Sequence, residues 1–196
     1  MNHSLRPRRL PSAHYVGLVS EPSHYPTVSA DFSRTLELVG PEQWRSPTPC
    51  EDWTVFDLVT HVIATHRRVY KMAMTTYTEP KLDTVDAWRE IHDALLAALD
   101  DPILAATPVQ SRQGEQPFSA LVGGLLTFDT LAHTWDLARA IGAAEELNPD
   151  AVAHATRELE PIGEALRVPG GFGPAVDSAP DATAQTRLLN FLGRRP

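Results

Sequence analysis

An acidic residue and a histidine four positions apart are the part of this sequence best suited to chemistry. Asp129 and His133 lie within the run FDTLAHTWDLA, and on a helix this spacing places both side chains on one face, one turn apart. A carboxylate oxygen and an imidazole nitrogen arranged in this way can share one divalent ion. The same spacing also fits a carboxylate that only orients a histidine, so a metal site requires a third ligand.

The environment predicted for Asp129 supports a metal ion as its partner. At about 100° per residue, Asp129 and His133 fall near the centre of the apolar arc of their helix, an arc defined by Val122, Leu125, Leu126 and Ala140. An isolated carboxylate in an apolar setting is very costly. A bound cation would remove that cost.

Two histidines on an earlier amphipathic segment are candidates for the third ligand. His66 lies near the middle of the apolar face of that segment, whereas His61 lies beyond its flank. The wheel position alone favours His66, although a histidine on such a face is more often an ordinary core residue. Ligands from facing helices can meet inside a bundle, and periodicity leaves the choice between the two histidines open.

Three further side chains have two interpretations each. Asp136 either accepts a hydrogen bond from a ligand histidine or forms an ordinary salt bridge, and it could also complete the metal site, as could His66. Cys50 is the single cysteine and is expected to be a half-buried structural thiol rather than a nucleophile. Trp53 and Trp135 are expected to serve mainly in packing.

The elements that must position these residues are predicted to be helices. Apolar residues recur at three- and four-residue spacing in six segments, which we place at residues 26–39, 54–76, 84–99, 118–141, 149–167 and 183–192. Residues 102–117 are predicted to be a polar loop with room for a short extended piece. We therefore expect an all-α domain over residues 26–196, preceded by a flexible leader at residues 1–25.

Composition excludes several classes of function. The formal net charge is −8, and an acidic surface repels nucleic-acid backbones, so we expect no nucleic-acid partner. No apolar stretch is long enough to span a bilayer, and no secretory signal follows the basic N-terminal residues. A single cysteine allows no internal disulfide. These features predict a cytoplasmic protein without a membrane partner.

Two motifs resemble those of a known superfamily. The stretch TPCEDWTVFDLVTHV at residues 48–62 is similar to the signature TPC-x-x-W-T-V-x-D-L-V-x-H of the DinB-like and mycothiol-dependent maleylpyruvate isomerase proteins. The stretch DTLAHTWDLA at residues 129–138 is similar to the [DE]-x-x-x-H-x-W-D-L-A stretch of the same proteins. The segment from Asp181 to Arg194 also fits an actinobacterial branch of this superfamily.

The resemblance implies a fold, a metal site and a chemistry. The fold is a DinB-like up-and-down four-helix bundle, here with additional short C-terminal helices. The site is one divalent metal ion, zinc or nickel, held by three ligands that map to His61, Asp129 and His133. The chemistry is that of a metal-dependent transferase or isomerase that uses a thiol such as mycothiol on a small-molecule substrate. Bundles of this kind often pair through an outer helix face, so the resemblance implies a homodimer.

Two departures from the isomerase pattern limit this expectation. The isomerase has Glu where this chain has Asp129, and it carries a separate C-terminal domain for which this chain has no room. We therefore do not expect activity on maleylpyruvate itself, and the catalytic residues remain unassigned. The alternative function is a metal-stabilised helical protein that binds a ligand without turnover.

Overall fold

The helices predicted from the sequence are present, with adjusted ends. The computed structural model describes residues 23–112, 114–167 and 172–196. Its α-helices are α1 (Tyr25–Glu37), α2 (Val55–Ala73), α3 (Thr84–Asp100), α4 (Pro102–Ala105), α5 (Phe118–Leu121), α6 (Thr127–Ile141), α7 (Pro149–Leu159) and α8 (Ala184–Phe191). Short 3₁₀ turns lie at Pro41–Arg45 and Gly163–Leu166. Most of the leader predicted at residues 1–25, including His3 and His14, lies outside the described residues.

Four of these helices form the bundle that contains the main core. Helix α1 packs against α6 and α3, and α2 packs against the same two helices, so each member has two neighbours in the bundle. Fully buried side chains from all parts of this ring meet in the centre, among them Phe32, Leu58, Ile91 and Leu137. The prediction of an all-α, DinB-like fold is confirmed.

Local sequence signals fix where the helices begin and end. In a capping box, the Thr54 hydroxyl accepts the backbone N–H of Asp57 while the Asp57 carboxylate accepts the backbone N–H of Thr54. Asp83 and Thr183 cap α3 and α8 by accepting the backbone N–H groups of Asp86 and Thr186 with their side chains. Gly142 ends α6 in the left-handed conformation, with φ +69°, as expected of a glycine at this position.

The fifth predicted helix is shorter than periodicity indicated. The apolar spacing suggested residues 149–167, but α7 ends at Leu159 and only a short 3₁₀ turn follows, at Gly163–Leu166. Pro161 explains the early end, because proline has no backbone N–H to continue the helical hydrogen-bond ladder, although Glu160 before it still has helical dihedral angles. Gly163 then adopts a positive φ of +54°, which turns the chain away.

A hairpin occupies most of the segment predicted to be a polar loop. Strand β1 (Pro108–Ser111) pairs antiparallel with β2 (Gly114–Pro117), in a register that joins Pro108 to Pro117. Only one side chain of β1, Val109, is buried, and none of β2. Strand β1 packs against α2, and both strands pack against α5; the hairpin does not change the fold class.

Helices α7 and α8 form a second, smaller core on α6. Ala151, Val152 and Ala155 of α7 and Leu188 of α8 are buried against Phe128, Leu131 and Ala132 of α6. Helix α6 is therefore buried on both sides, by the bundle and by this pair. That double burial explains why eleven of its residues are buried, including the polar Thr130, His133 and Asp136.

A π-helical segment interrupts the helix predicted at residues 118–141. It covers Val122–Leu126, between α5 and α6, and contains Gly123 and Gly124. Leu125, which the helical wheel placed in the apolar arc, is 43% exposed. A π segment holds more residues per turn than an α-helix, so it shifts the faces on either side of it. None of the described helices has the length and apolar character needed to cross a membrane.

Candidate metal centre

The three residues that the family resemblance selected converge between α2 and α6. His61 Nε2 and His133 Nε2 each lie 3.6 Å from Oδ1 of Asp129. One ligand atom from each residue lies within 4.8 Å of the other two. Two imidazole nitrogens and one carboxylate oxygen are a donor set typical of zinc and related divalent ions.

The second carboxylate oxygen of Asp129 has no hydrogen-bond partner. Asp129 Oδ2 is buried and accepts no hydrogen bond from any described residue. A buried carboxylate oxygen without a donor is costly. A cation between Asp129 and the two histidines would compensate it, so the residues present fit a divalent metal ion.

The far side of His133 is held by a buried carboxylate. Nδ1–H of His133 donates to Asp136 Oδ2 over 3.0 Å, and Asp136 is fully buried. With Nδ1 bonded to Asp136, Nε2 is the nitrogen that faces Asp129, and it would offer its lone pair to a cation that displaces the Nε2 proton. A carboxylate that accepts from one ring nitrogen fixes the tautomer and the orientation of a histidine that binds metal through the other. Both interpretations of Asp136 hold together, because it accepts a hydrogen bond from a histidine and also forms an ion pair.

The ion-pair partner of Asp136 is Arg194, from the segment that follows α8. Arg194 donates from Nη2 to Asp136 Oδ2 over 2.7 Å and from Nε to Oδ1 over 3.2 Å. The two parallel hydrogen bonds form the bidentate pair that arginine makes with carboxylates. Arg194 therefore neutralises Asp136 and holds it against His133.

Cys50 completes the hydrogen-bonded shell. Its Sγ lies 3.3 Å from Asp136 Oδ2 and 3.9 Å from Nδ1 of His133. Cys50, His133 and Asp136 form a second group with possible ligand atoms, but the Asp136 oxygens already accept from Arg194. The half-buried thiol packs at the edge of the core, which agrees with the partial burial expected from the sequence.

Trp53 forms one wall of the site. Its ring centroid lies 4.7 Å from that of His61 and 5.9 Å from that of His133. The His61 side chain is 31% exposed and the Asp129 side chain 16%, whereas that of His133 is 7% exposed. The cluster is therefore closed on the His133 side and open to solvent beside His61.

His66, which the helical wheel favoured, lies away from the cluster. It is fully buried, with Nδ1 donating to the Val62 carbonyl oxygen over 2.7 Å and Nε2 accepting from Thr130 Oγ1 over 3.3 Å. Its ring packs edge-on against Trp88. Both nitrogens have partners, so His66 is a core histidine with satisfied hydrogen bonds. This is the ordinary role of a histidine on the apolar face of a helix.

The charges of the site perturb its pKa values strongly. Burial lowers the pKa of His133, but the attraction of Asp129 and the hydrogen bond to Asp136 outweigh burial and raise the pKa to about 10. Burial raises the pKa of Asp136, yet its bonds with His133 and Arg194 bring that pKa down to about 2. The pKa of Asp129 is also lowered, because the two histidines outweigh its burial. The negative charges around His133 thus favour a positive charge at this position.

Sequence reasoning assigned no role to Arg194 and did not place Cys50 in the site. Their separations from Asp136 are 58 and 86 residues, so no local spacing connects them. The three-residue spacing of His133 and Asp136 was a usable signal, because residues three apart on a helix are neighbours. The side of His133 that Asp136 occupies depends on rotamers, which spacing does not give.

Comparison with known proteins gives one family. Residues 25–138 match the model of the mycothiol maleylpyruvate isomerase N-terminal domain. Two proteins of Mycobacterium tuberculosis, one from each of two strains and both described as uncharacterized, are 33% identical to this chain over 171 residues. The aligned region covers 83% of this chain and 91% of each relative. No solved structure gives a significant match.

Proposed function

The chain belongs to the family of the mycothiol maleylpyruvate isomerase N-terminal domain, and on this premise we propose that it is a metal-dependent thiol transferase or isomerase. The family is mycothiol-related and metal-binding, with a DinB-like fold. We propose His61, Asp129 and His133 as the ligands of one divalent ion, zinc or nickel. The substrate is a small molecule, and the thiol is of the mycothiol type.

The observation that carries this proposal is the three-donor cluster with one open side. Catalytic zinc sites have three protein ligands and keep a position for water or substrate, whereas structural sites have four protein ligands. Among the described residues, the group around Asp129 contains three possible ligands. His66 bonds within the core, and Asp136 bonds Arg194. The exposed edge of His61 leaves the required approach to the cluster.

The surrounding residues prepare the site for a thiol. A bound divalent ion would act as a Lewis acid and lower the pKa of a thiol that reaches it. Asp136 keeps the His133 proton on Nδ1, which leaves Nε2 available as a ligand. The Trp53 ring covers the two histidines on one side and excludes water from that side.

The first test of this proposal is elemental analysis of the untagged protein after dialysis against excess zinc. We expect about one equivalent of metal in the wild type and none above background in His133→Ala. Histidines outside the site, such as those near the N-terminus, contribute equally to both samples and cancel in the difference.

The matched control is His92→Ala on α3. His92 bonds Ser29 and Asp93 and is not part of the cluster, so this variant should retain the full equivalent. Equal metal content in the wild type and in His133→Ala would overturn the proposed site.

A further inference from the structure

The outward face of α2 carries a stripe of exposed residues. They recur at three- and four-residue spacing along the helix and are Asp57, Thr60, Ala64, Arg68 and Lys71. At about 100° per residue, all of them lie within about 40° of Ala64 around the helix axis. This spacing is that of a helix face that packs along a second helix, yet every member of the stripe is exposed.

Opposite charges occupy the two ends of this stripe. Asp57 is the only acidic residue of α2 and lies in its first turn, whereas Arg68 and Lys71 lie near its C-terminal end. Lys71 pairs with Glu79, but Arg68 forms no ion pair with any residue that the structure describes. The helix dipole favours this order of charges in any helix, so a binding partner has to be argued from the position of each charge.

A groove of about 570 Å³ follows the stripe, and its lining is partly apolar. Ile63 and Ala64 line it near the middle of α2, and Met72 lines it near the end of the helix. Met72 is 39% exposed, and Phe56, at the other end of α2, is 50% exposed. An exposed apolar surface bordered by charged residues is typical of a site of protein interaction.

We propose that a second copy of this chain packs on this face, with the two α2 helices antiparallel about a twofold axis beside Ala64. In a twofold interface the same patch occurs on both copies, so the patch must carry both members of each contact. Asp57 and Lys71 are each seven residues from Ala64, so Asp57 of one copy lies opposite Lys71 of the other. Arg68 lies less than one helical turn from the same point and gains the acidic partner that it lacks in the single chain.

This interface is independent of the proposed function. His61 lies about 60° from Ala64 around α2, beside the stripe, and the other proposed metal ligands are on α6. The face of one helix is smaller than the roughly 800 Å² that each partner buries in a standard interface. We therefore expect a dissociation constant in the micromolar range and an equilibrium between one and two copies.

Sedimentation equilibrium over a wide range of protein concentration tests the association itself. We expect the mass of the wild type to rise with concentration from the 21.5 kDa of one chain toward twice that value. Because charged pairs contribute, added salt should weaken the association. A mass that stays at that of one chain up to submillimolar concentration would overturn the inference.

Two variants with complementary charges test which face is used. Asp57→Lys leaves only basic charges on the stripe, and the double variant Arg68→Glu with Lys71→Glu leaves only acidic charges. Each change occurs twice in a symmetric dimer, so we expect the dissociation constant of each variant with itself to rise roughly tenfold or more. An equimolar mixture of the two should associate again as a one-to-one pair, because each acid then lies opposite a base.

The mixture also controls for the fold, since association again requires an intact α2 in both variants. In Asp57→Lys, Thr54 can still accept the backbone N–H of residue 57. Arg68→Gln is a milder variant, which removes only a charge without an ion pair and should weaken the association roughly threefold. Variants that associate as the wild type does, or a mixture of helical variants that stays dissociated, would contradict the proposed face.

Arg89→Glu is the matched control, because Arg89 is an exposed arginine on α3 that pairs with Asp86. It reverses a charge away from the stripe and should leave the dissociation constant unchanged. An equal loss of association in Arg89→Glu and in the stripe variants would assign the effect to net charge and overturn the inference.

Discussion

At the scale of the residue, the site depends on how Asp136 presents His133. Asp136 accepts from Nδ1 of His133 and is itself held by two hydrogen bonds from Arg194. A negative charge behind a ligand imidazole makes the opposite nitrogen a better donor to a metal. Asp136 is thus a positioning residue, acting through His133.

Replacing this charge should weaken the site without removing it. In Asp136→Asn we expect zinc affinity to fall roughly tenfold to a hundredfold while the stoichiometry stays at one, measured by competition with a chromophoric chelator. Asp93→Asn is the control, because Asp93 also lies beside a histidine, His92, but belongs to neither group of possible metal ligands. Unchanged affinity in Asp136→Asn would show that the carboxylate has only a structural role.

The residues of the cluster could be named from the sequence only in part. The spacing of Asp129 and His133 predicted a shared helix face, which the structure places at the site. The choice of His61 came from the family motif, since the wheel favoured His66. A wheel shows which side chains face the core, and His66 does so, whereas His61, the ligand proposed from the family motif, is partly exposed at the flank of the apolar face.

At the scale of the element, the end of α8 delivers Arg194 to Asp136. Gly193 has φ +86°, and backbone hydrogen bonds run from Gly193 N to Asn190 O and from Arg194 N to Leu189 O. This is the left-handed helix ending that glycine permits. A Cβ at Gly193 would also lie only 3.0 Å from the Pro174 carbonyl oxygen.

Gly193→Ala should therefore damage both stability and metal binding. The left-handed conformation alone costs about 1 kcal/mol, and the contact with Pro174 adds to it and displaces Arg194. Gly142→Ala is the matched control, because Gly142 also has a positive φ but nothing within 4 Å of the added Cβ. Urea unfolding should show a loss in both variants, larger in Gly193→Ala, and zinc affinity should fall only there. Equal zinc affinities of Gly193→Ala and the wild type would show that the ending of α8 does not influence the site.

Element types were predictable where local signals agreed, whereas element ends were predictable only where a capping residue marks them. Capping by Thr54 and the C-terminal Gly142 marked the ends of α2 and α6 at the right places or nearly so. The early end of α7 before Pro161 was missed because apolar periodicity continued past the proline. The π segment leaves no periodic signal, since only the backbone hydrogen bonds reveal it.

At the scale of the whole molecule, His66 couples folding to pH. Burial lowers the pKa of His66 to about 4, from an ordinary value of 6.5. A neutral imidazole in the core stabilises the fold fully above pH 6.5. As the pH falls below 6.5, the unfolded chain takes up a proton that the folded core excludes, and this stability is lost progressively until about pH 4.

The free energy of unfolding should therefore fall by roughly 2 kcal/mol between pH 6.5 and about pH 5 on account of His66. His92, whose pKa is also lowered by burial, contributes with the same sign. His133, whose pKa is raised, acts in the opposite direction: it stays protonated in the folded state, and its stabilising contribution becomes fully present as the pH falls below 6.5. In His66→Phe, urea titrations across this range should give a shallower slope. An identical slope in both proteins would assign the acid sensitivity to other groups.

The π segment at Val122–Leu126 has a consequence for how the chain tolerates insertions and deletions. A π turn accommodates one residue more than an α turn, so loss of one residue there, such as Gly124, would restore regular α-helix. The residues before the deletion would rotate by about 100° relative to α6, and α5 and the hairpin would leave their places on α2. Asp129 and His133 would keep their mutual spacing on α6. The length of this segment therefore sets how α5 and the hairpin are oriented relative to the face of α6 that carries Asp129 and His133.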